Sequence, residues 1–279
     1  MRMRTGRLAL IALLSTAAAL PAVLAQHDAI AQGVQARPWL GLAMDGDATA
    51  AGARVGHVIR GSPADAAGVH EGDRIVGVAG RRVARARDVV DAVAGSAVGD
   101  SVEIAFVRSG ASQTTHATLA ALPSQDQMLR MDLVGAFAPA WKDLQVVSGS
   151  FPGSVGDSRG RVVVLDFWAT WCMPCRVVIP KLDALQAQFG VQGLSVLGVS
   201  TEDTQDVSQF VQNMAMRYGV AVDRHGQTTR GYGVVSLPTM VVIDKRGVVR
   251  DVSVGYDPSG DARLEATVRT LLAEPAPTR

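Results

Sequence analysis

Cysteine is nearly absent from this chain: Cys172 and Cys175 are its only two among 279 residues. A zinc ribbon or finger is excluded, because it needs a second cysteine or histidine pair at close spacing. The histidines supply no such pair, since His27, His57, His70, His116 and His225 are scattered singly. A charge excess is missing as well. With 27 basic and 26 acidic residues the formal net charge is +1, and no dense basic run follows the first residues, so nothing argues for nucleic acid as a partner. Internal repeats and low-complexity tracts are also absent, and one apolar run alone approaches membrane-spanning length.

That run is N-terminal. Met1 to Arg7 contains three arginines, Leu8 to Ala25 is apolar with Pro21 near its end, and Val23-Leu24-Ala25 offers small residues for cleavage. This is the pattern of a secretory signal peptide over residues 1–25, with an uncleaved anchor as the alternative. No cysteine follows the cleavage-like site, which argues against a lipoprotein. The expected location is extracytoplasmic, a bacterial periplasm or similar space. The remaining length suits two ordinary domains. Polar, Ala-rich residues 26–36 read as a leader, and the stretch from Leu122 to Asp132 reads as a linker. The expected division is therefore 37–122 and 138–275, joined through 123–137.

Both cysteines fall in Trp171-Cys172-Met173-Pro174-Cys175. Three uses compete: a structural disulfide, half of a metal site, or a reversible dithiol couple. As a staple the pair is weak, since chain entropy assigns about 1.9 kcal/mol to so short a loop against about 4.7 kcal/mol for a 100-residue one. Attachment of a c-type haem would need histidine after the second cysteine, where Arg176 stands. An isolated C-x-x-C entering a strand-helix unit favours redox chemistry. No metal and no cofactor beyond the cysteine pair is expected.

The surrounding pattern is such a unit. Arg161-Val-Val-Val-Leu-Asp-Phe-Trp168 is apolar but for one acid, as in a central strand covered on both faces. Met173 to Phe189 then reads as a helix with Val177, Val178, Leu182, Leu185 and Phe189 at helical spacing, interrupted at Pro180. A strand over Leu194 to Val199, a helix over Thr204 to Arg217, apolar runs at Thr239 to Ile243 and Val248 to Val254, and a helix from near Ser259 follow. Alternation ending in a hairpin predicts an α/β fold with a mixed sheet.

Phe167-Trp168-Ala169-Thr170-Trp171-Cys172-Met173-Pro174-Cys175, Ser236-Leu237-Pro238-Thr239 and Ile243-Asp244-Lys245-Arg246-Gly247, in this order, resemble the TlpA/ResA group of thioredoxin-like thiol-disulfide oxidoreductases. The resemblance covers roughly Ala138 to Glu274 and implies a thioredoxin-like fold, with Cys172 attacking a substrate and Cys175 resolving the mixed disulfide. A helix N-terminus behind Cys172 would favour its thiolate. Trp171, Met173, Pro174 and Leu237 would contact the substrate, and the matching Leu237-Pro238 bond is cis in thioredoxin-like proteins. At the position of Asp166 thioredoxin carries a buried acid, which implies a proton acceptor for Cys175; burial of a lone carboxylate there would raise its pKa. One departure is Val178, where several members of the group have a glutamate that tunes the site.

In the first half, Ser62 can cap a short helix, Pro63 suits its first position and Gly68 its left-handed stop. Glu71-Gly72-Asp73 turns into a strand over Arg74 to Val78. This string, with Ala79-Gly80 after it, resembles the PDZ domains of HtrA-type periplasmic proteases from roughly Arg37 to Ala121, a small α+β, mainly β module. The resemblance places Trp39, Leu40, Gly41 and Leu42 in the loop that grips a peptide's terminal carboxylate. A helix near Asp88 to Ala94, with Val89, Val90 and Val93, would flank the added strand.

The expectation is thus an extracytoplasmic enzyme that exchanges thiols and disulfides on protein substrates, preferentially as a reductase. Its partners would be those proteins, an upstream membrane thiol reductase and a C-terminal peptide held by the PDZ-like module. The alternatives are a disulfide oxidase or isomerase, an interaction protein whose disulfide is structural, and a peroxidase of the peroxiredoxin type, whose characteristic Thr-x-x-Cys context with an upstream proline is missing here.

Overall fold

The computed structural model describes residues 36–45 and 52–277. The expected signal peptide and nearly all of the leader lie outside these residues. Among the described residues no helix is long and apolar enough to cross a membrane.

The N-terminal region begins with strand β1 (Pro38–Trp39), β2 (Leu42–Met44) and β3 (Ala53–Val58). Helix α1 (Pro63–Ala66) follows, and Ser62 caps it by accepting the Asp65 amide at 3.2 Å. Then come β4 (Arg74–Val78), β5 (Arg81–Arg82), helix α2 (Ala86–Ala94), the hairpin β6 (Ser101–Arg108) and β7 (Ala111–Thr118), and β8 (Ala120–Ala121). The sheet order is β2-β3-β4-β6-β7, with β5 also on β4. Strand β8 returns to pair with β1, Pro38 opposite Ala121, so the first and last residues of this unit are joined by a ladder. Its core has its own apolar set, from Leu40 and Val55 through Ile75 and Ile104 to Leu119. The Asp73 carboxylate of the tight turn is buried and receives the Arg108 guanidinium through two bonds of 2.7 Å, tying the turn to the hairpin.

The stretch expected to be a linker contains a helix, α3 (Gln125–Leu133). Ser124 and Gln127 form a reciprocal capping box at its start, and Leu129 and Leu133 are buried. Leu129 and Leu133 pack into the core of the C-terminal domain, which supplies the energy that a polar nine-residue helix lacks alone. Arg130 secures it, donating to Asp126 at 2.8 Å and to Asp251 at 2.6 Å.

The C-terminal domain contains β9 (Leu144–Ser148), β10 (Val162–Phe167), α4 (Met173–Phe189), β11 (Leu194–Ser200), α5 (Thr204–Met214), β12 (Gly219–Asp223), α6 (Gln227–Gly231), β13 (Thr239–Ile243), β14 (Val249–Val254) and α7 (Gly260–Ala273). They form a six-stranded sheet in the order β14-β13-β10-β11-β12-β9. Strands β10, β11 and β12 run parallel, and β13, β14 and β9 are antiparallel to their neighbours. The mixed sheet is the thioredoxin-like arrangement, and β10 lies inside it with every residue buried. Strand pleating divides that strand: Val162, Val164 and Trp168 join one core layer, while Val163, Leu165 and Phe167 join the other. Helix α4 runs unbroken through Pro180, which lies on its exposed side, where the carbonyl left unpaired can be hydrated.

Candidate active site

Strand β10 ends at Phe167, and five residues later the chain delivers Cys172 to the N-cap of α4. Cys172 and Cys175 form a disulfide with their Cα atoms 5.3 Å apart. The Cys175 amide donates to Cys172 Sγ at 3.2 Å, so a first-turn N–H that the helix cannot use is directed at the sulfur. Helix-start amides and the macrodipole stabilise negative charge there. In this disulfide state Cys172 is 3% exposed and Cys175 is fully buried. Their neighbours form the surface: Trp171 is 70% and Met173 66% exposed, and Pro174 is exposed too.

The Leu237-Pro238 bond is cis. It immediately precedes β13, whose first residue Thr239 pairs with Phe167, so the proline comes to the same end of the sheet as the cysteine motif. Pro238 is buried, and half-buried Leu237 packs against the core cluster that contains both cysteines. Ser236, just upstream, hydrogen-bonds Gln125 of α3 at 2.8 Å, so the helix between the domains also touches this loop.

Asp166 is fully buried. Even-numbered residues of β10 point into the layer with Cys172, Cys175 and α4, and Asp166 shares their face. Burial raises its pKa from 3.8 to about 7, against the opposing effect of a hydrogen bond from the Tyr218 hydroxyl at 3.3 Å. Its Oδ1 and the nearby Trp168 indole N–H are buried without partners among the described residues. A carboxyl titrating near neutrality, in one layer with a dithiol pair, is suited to general acid-base work. Val178 is buried in the same cluster, so this side of α4 presents an apolar wall.

Glu202 had no motif to flag it in the sequence. It lies just past β11 and receives both the Thr170 amide and the Thr170 hydroxyl at 2.6 Å, with Ser200 adding a bond at 3.1 Å. Arg176 closes the other side, donating to the Thr170 carbonyl at 2.8 Å while its guanidinium lies 5.2 Å from the Phe210 ring centre. The peptide two residues before Cys172 is therefore clamped from both ends. Thirty-two positions separate Thr170 from Glu202, so only the parallel β10-β11 pairing brings them together.

In the N-terminal domain, Trp39 ends β1, Leu42 begins β2, and Leu40 and Gly41 connect the two strands. Gly41 has φ +88°, and a Cβ there would lie 2.1 Å from Ser62 Cβ, so a side chain has neither conformation nor room. Among the described residues strand β2 ends the sheet and pairs with β3 alone, and α2 presents buried Val89 and Val93 with Val90 exposed. The two domains meet at α3, where His57 Nε2 bonds Asp132 at 2.8 Å and Nδ1 bonds Glu71 at 2.5 Å. Arg60 adds its backbone N–H to the Asp132 carboxylate at 3.2 Å.

Comparison with known proteins gives two family matches: residues 135–252 match the AhpC/TSA family and residues 33–119 the PDZ domain. The chain is 36% identical over 100 residues to the thiol-disulfide oxidoreductase ResA of Geobacillus thermodenitrificans, covering 36% of this chain and 58% of that protein. It is 33% identical over 116 residues to the thioredoxin-like protein YneN of Bacillus subtilis, covering 40% of this chain and 66% of that one. The matched stretch is thus little more than half the length of the ResA relatives. A crystal structure assigned as the thiol:disulfide interchange protein DsbE of Chlorobium tepidum overlays with a TM-score of 0.47 and 35% identity, over 50% of this chain and 98% of that one.

Proposed function

We propose that this chain, a PDZ domain joined to a thioredoxin-like domain of the AhpC/TSA family, is an extracytoplasmic thiol-disulfide oxidoreductase that reduces disulfides of protein substrates. One observation supports this above others: the chain's two cysteines close a disulfide at the start of α4, in one core layer with a carboxyl that titrates near neutrality.

In the reaction the reduced Cys172 thiolate attacks a substrate disulfide, forming one S–S bond and expelling the first substrate thiolate. Asp166 then takes the proton of the Cys175 thiol. The Cys175 thiolate attacks Cys172, making the intramolecular disulfide and breaking the bond to substrate, whose second sulfur leaves as a thiolate. Asp166 releases its proton to that thiolate or to solvent. The substrate leaves with two added electrons, and an upstream thiol reductase must return them to the cysteine pair. Trp171, Met173 and Pro174 offer the exposed contact surface, and Leu237-Pro238 faces the substrate backbone. The PDZ domain accepts a C-terminal peptide as an added strand on β2, its carboxylate at Trp39 to Leu42.

Reduced protein should reduce insulin disulfides, and Cys172→Ser should abolish this. Cys175→Ser should accumulate a mixed disulfide through Cys172, from which substrates are identified. Failure of the reduced protein on insulin and on every other disulfide offered would refute the enzymatic reading, and a potential far above that of thioredoxin, about −270 mV, would reverse the direction.

A further inference from the structure

Asp166 receives one hydrogen bond among the described residues, and it comes from Tyr218. Tyr218 stands at the entrance to β12, two strands away from β10 in the sheet, and is buried. The intervening position on β11 is Gly198, which pairs with Asp166. A Cβ at Gly198 would lie 2.8 Å from Trp168 Nε1 and 3.0 Å from Tyr218 Cε2. The missing side chain is therefore what lets the Tyr218 ring reach across β11 to the carboxylate, with the Trp168 indole packed beside it.

The charged groups of α4 on this side are engaged elsewhere. Asp183 accepts the Arg217 amide at 2.7 Å, and Lys181 pairs with Asp261 and the Tyr256 hydroxyl. Among the described residues the cysteines are the remaining titratable groups in the layer, and they carry no charge as the disulfide. Tyr218 has no proton to lose at working pH, because burial and the nearby Asp166 and Asp183 charges hold its phenol well above the ordinary value. It therefore acts toward Asp166 as a fixed donor, and such a donor stabilises the carboxylate over the carboxylic acid.

We infer that Tyr218 is a positioning residue for the resolving step: through Gly198's open space its phenol hydrogen-bonds Asp166 and sets the pH at which that carboxylate accepts the Cys175 proton. The inference rests on the role proposed for Asp166, but the coupling itself can be read without activity. Bonds to ionised acceptors are stronger than neutral ones, and this one is longer than the usual O–H to O range. Tyr218→Phe should accordingly raise the Asp166 midpoint by about one pH unit, a tenfold gain in proton affinity.

The measurement is the pH titration of the Asp166 side-chain carboxyl by 13C NMR in the full disulfide-bonded protein, with Asp166→Asn identifying the signal. Tyr232→Phe is the control: it removes a buried phenol that bonds Trp141 and Pro139 in the other core layer, and should leave the midpoint in place. An unmoved midpoint in Tyr218→Phe, or an equal shift in Tyr232→Phe, would overturn the inference and leave the oxidoreductase reading intact. Where the midpoint moves, the pH profile of the resolving rate should move with it. A profile that stayed put would remove Asp166, and Tyr218 with it, from the resolving step.

Discussion

Replacing Asp166 with asparagine changes one atom of a buried side chain and removes its ionisation. Burial moves this carboxyl from 3.8 to about 7, about three pH units, each worth ~1.4 kcal/mol. Because the folded-state value lies above the unfolded one, its contribution to stability is fully present below about pH 3.8 and is lost as pH rises through about 7. Full ionisation therefore costs the folded state about 4 kcal/mol relative to a neutral residue there. Roughly 2.5 kcal/mol of this falls between about pH 5 and about pH 8. Urea unfolding followed by tryptophan fluorescence reads it, since Trp141, Trp168 and Trp171 all lie in the C-terminal domain. Other titrating groups cancel when wild type and Asp166→Asn are compared at each pH. The variant should gain on the wild type by about 2.5 kcal/mol across that interval. A difference that stays constant would show that Asp166 is not ionising in the core, and the proton-acceptor role would fall with it.

The other predictions concern the clamp and the domain junction. Glu202→Ala leaves the Thr170 amide and hydroxyl without their acceptor and should destabilise the C-terminal domain by about 1–3 kcal/mol. Faster hydrogen exchange at Thr170 to Cys172 checks it, and unchanged exchange would refute the clamp. His57 joins the N-terminal domain to α3 through Asp132; burial alone would lower its pKa, but the bonds to Asp132 and Glu71 outweigh that and raise it. A raised histidine value means the junction is at full strength below about pH 6.5 and weakens as pH climbs through the folded-state value. Exchange protection of Gln125 to Leu133 should fall over that range and become insensitive to pH in His57→Gln; an identical fall in the variant would refute the junction's dependence on His57.

Much of the fold was legible where local pattern and burial coincide. The all-apolar run around Asp166 reads as a central strand because both faces are covered, and α4 matches its predicted span because its apolar spacing and N-terminal proline agree. Strands β9 and β12 and helix α6 carry no distinct pattern in the sequence, and β12 is a strand because β11 and β9 lie on either side of it. Helix α3 has the polar composition of a linker, and it folds by burying two leucines in a neighbouring domain.

Sequence alone determined the pair at Cys172 and Cys175, its place between strand and helix, the acid at Asp166 and the glycine and capping pattern of the N-terminal domain. All of these depend on neighbours in the chain, and local rules reach that far. Tertiary structure decided what surrounds the cysteines. Glu202 reaches Thr170 because two strands run parallel, Tyr218 reaches Asp166 across a strand that has glycine at the crossing, and Asp132 reaches His57 from a helix held by another domain. These partners are 32, 52 and 75 positions apart, and their meeting is a property of sheet order and helix docking, which no local pattern encodes.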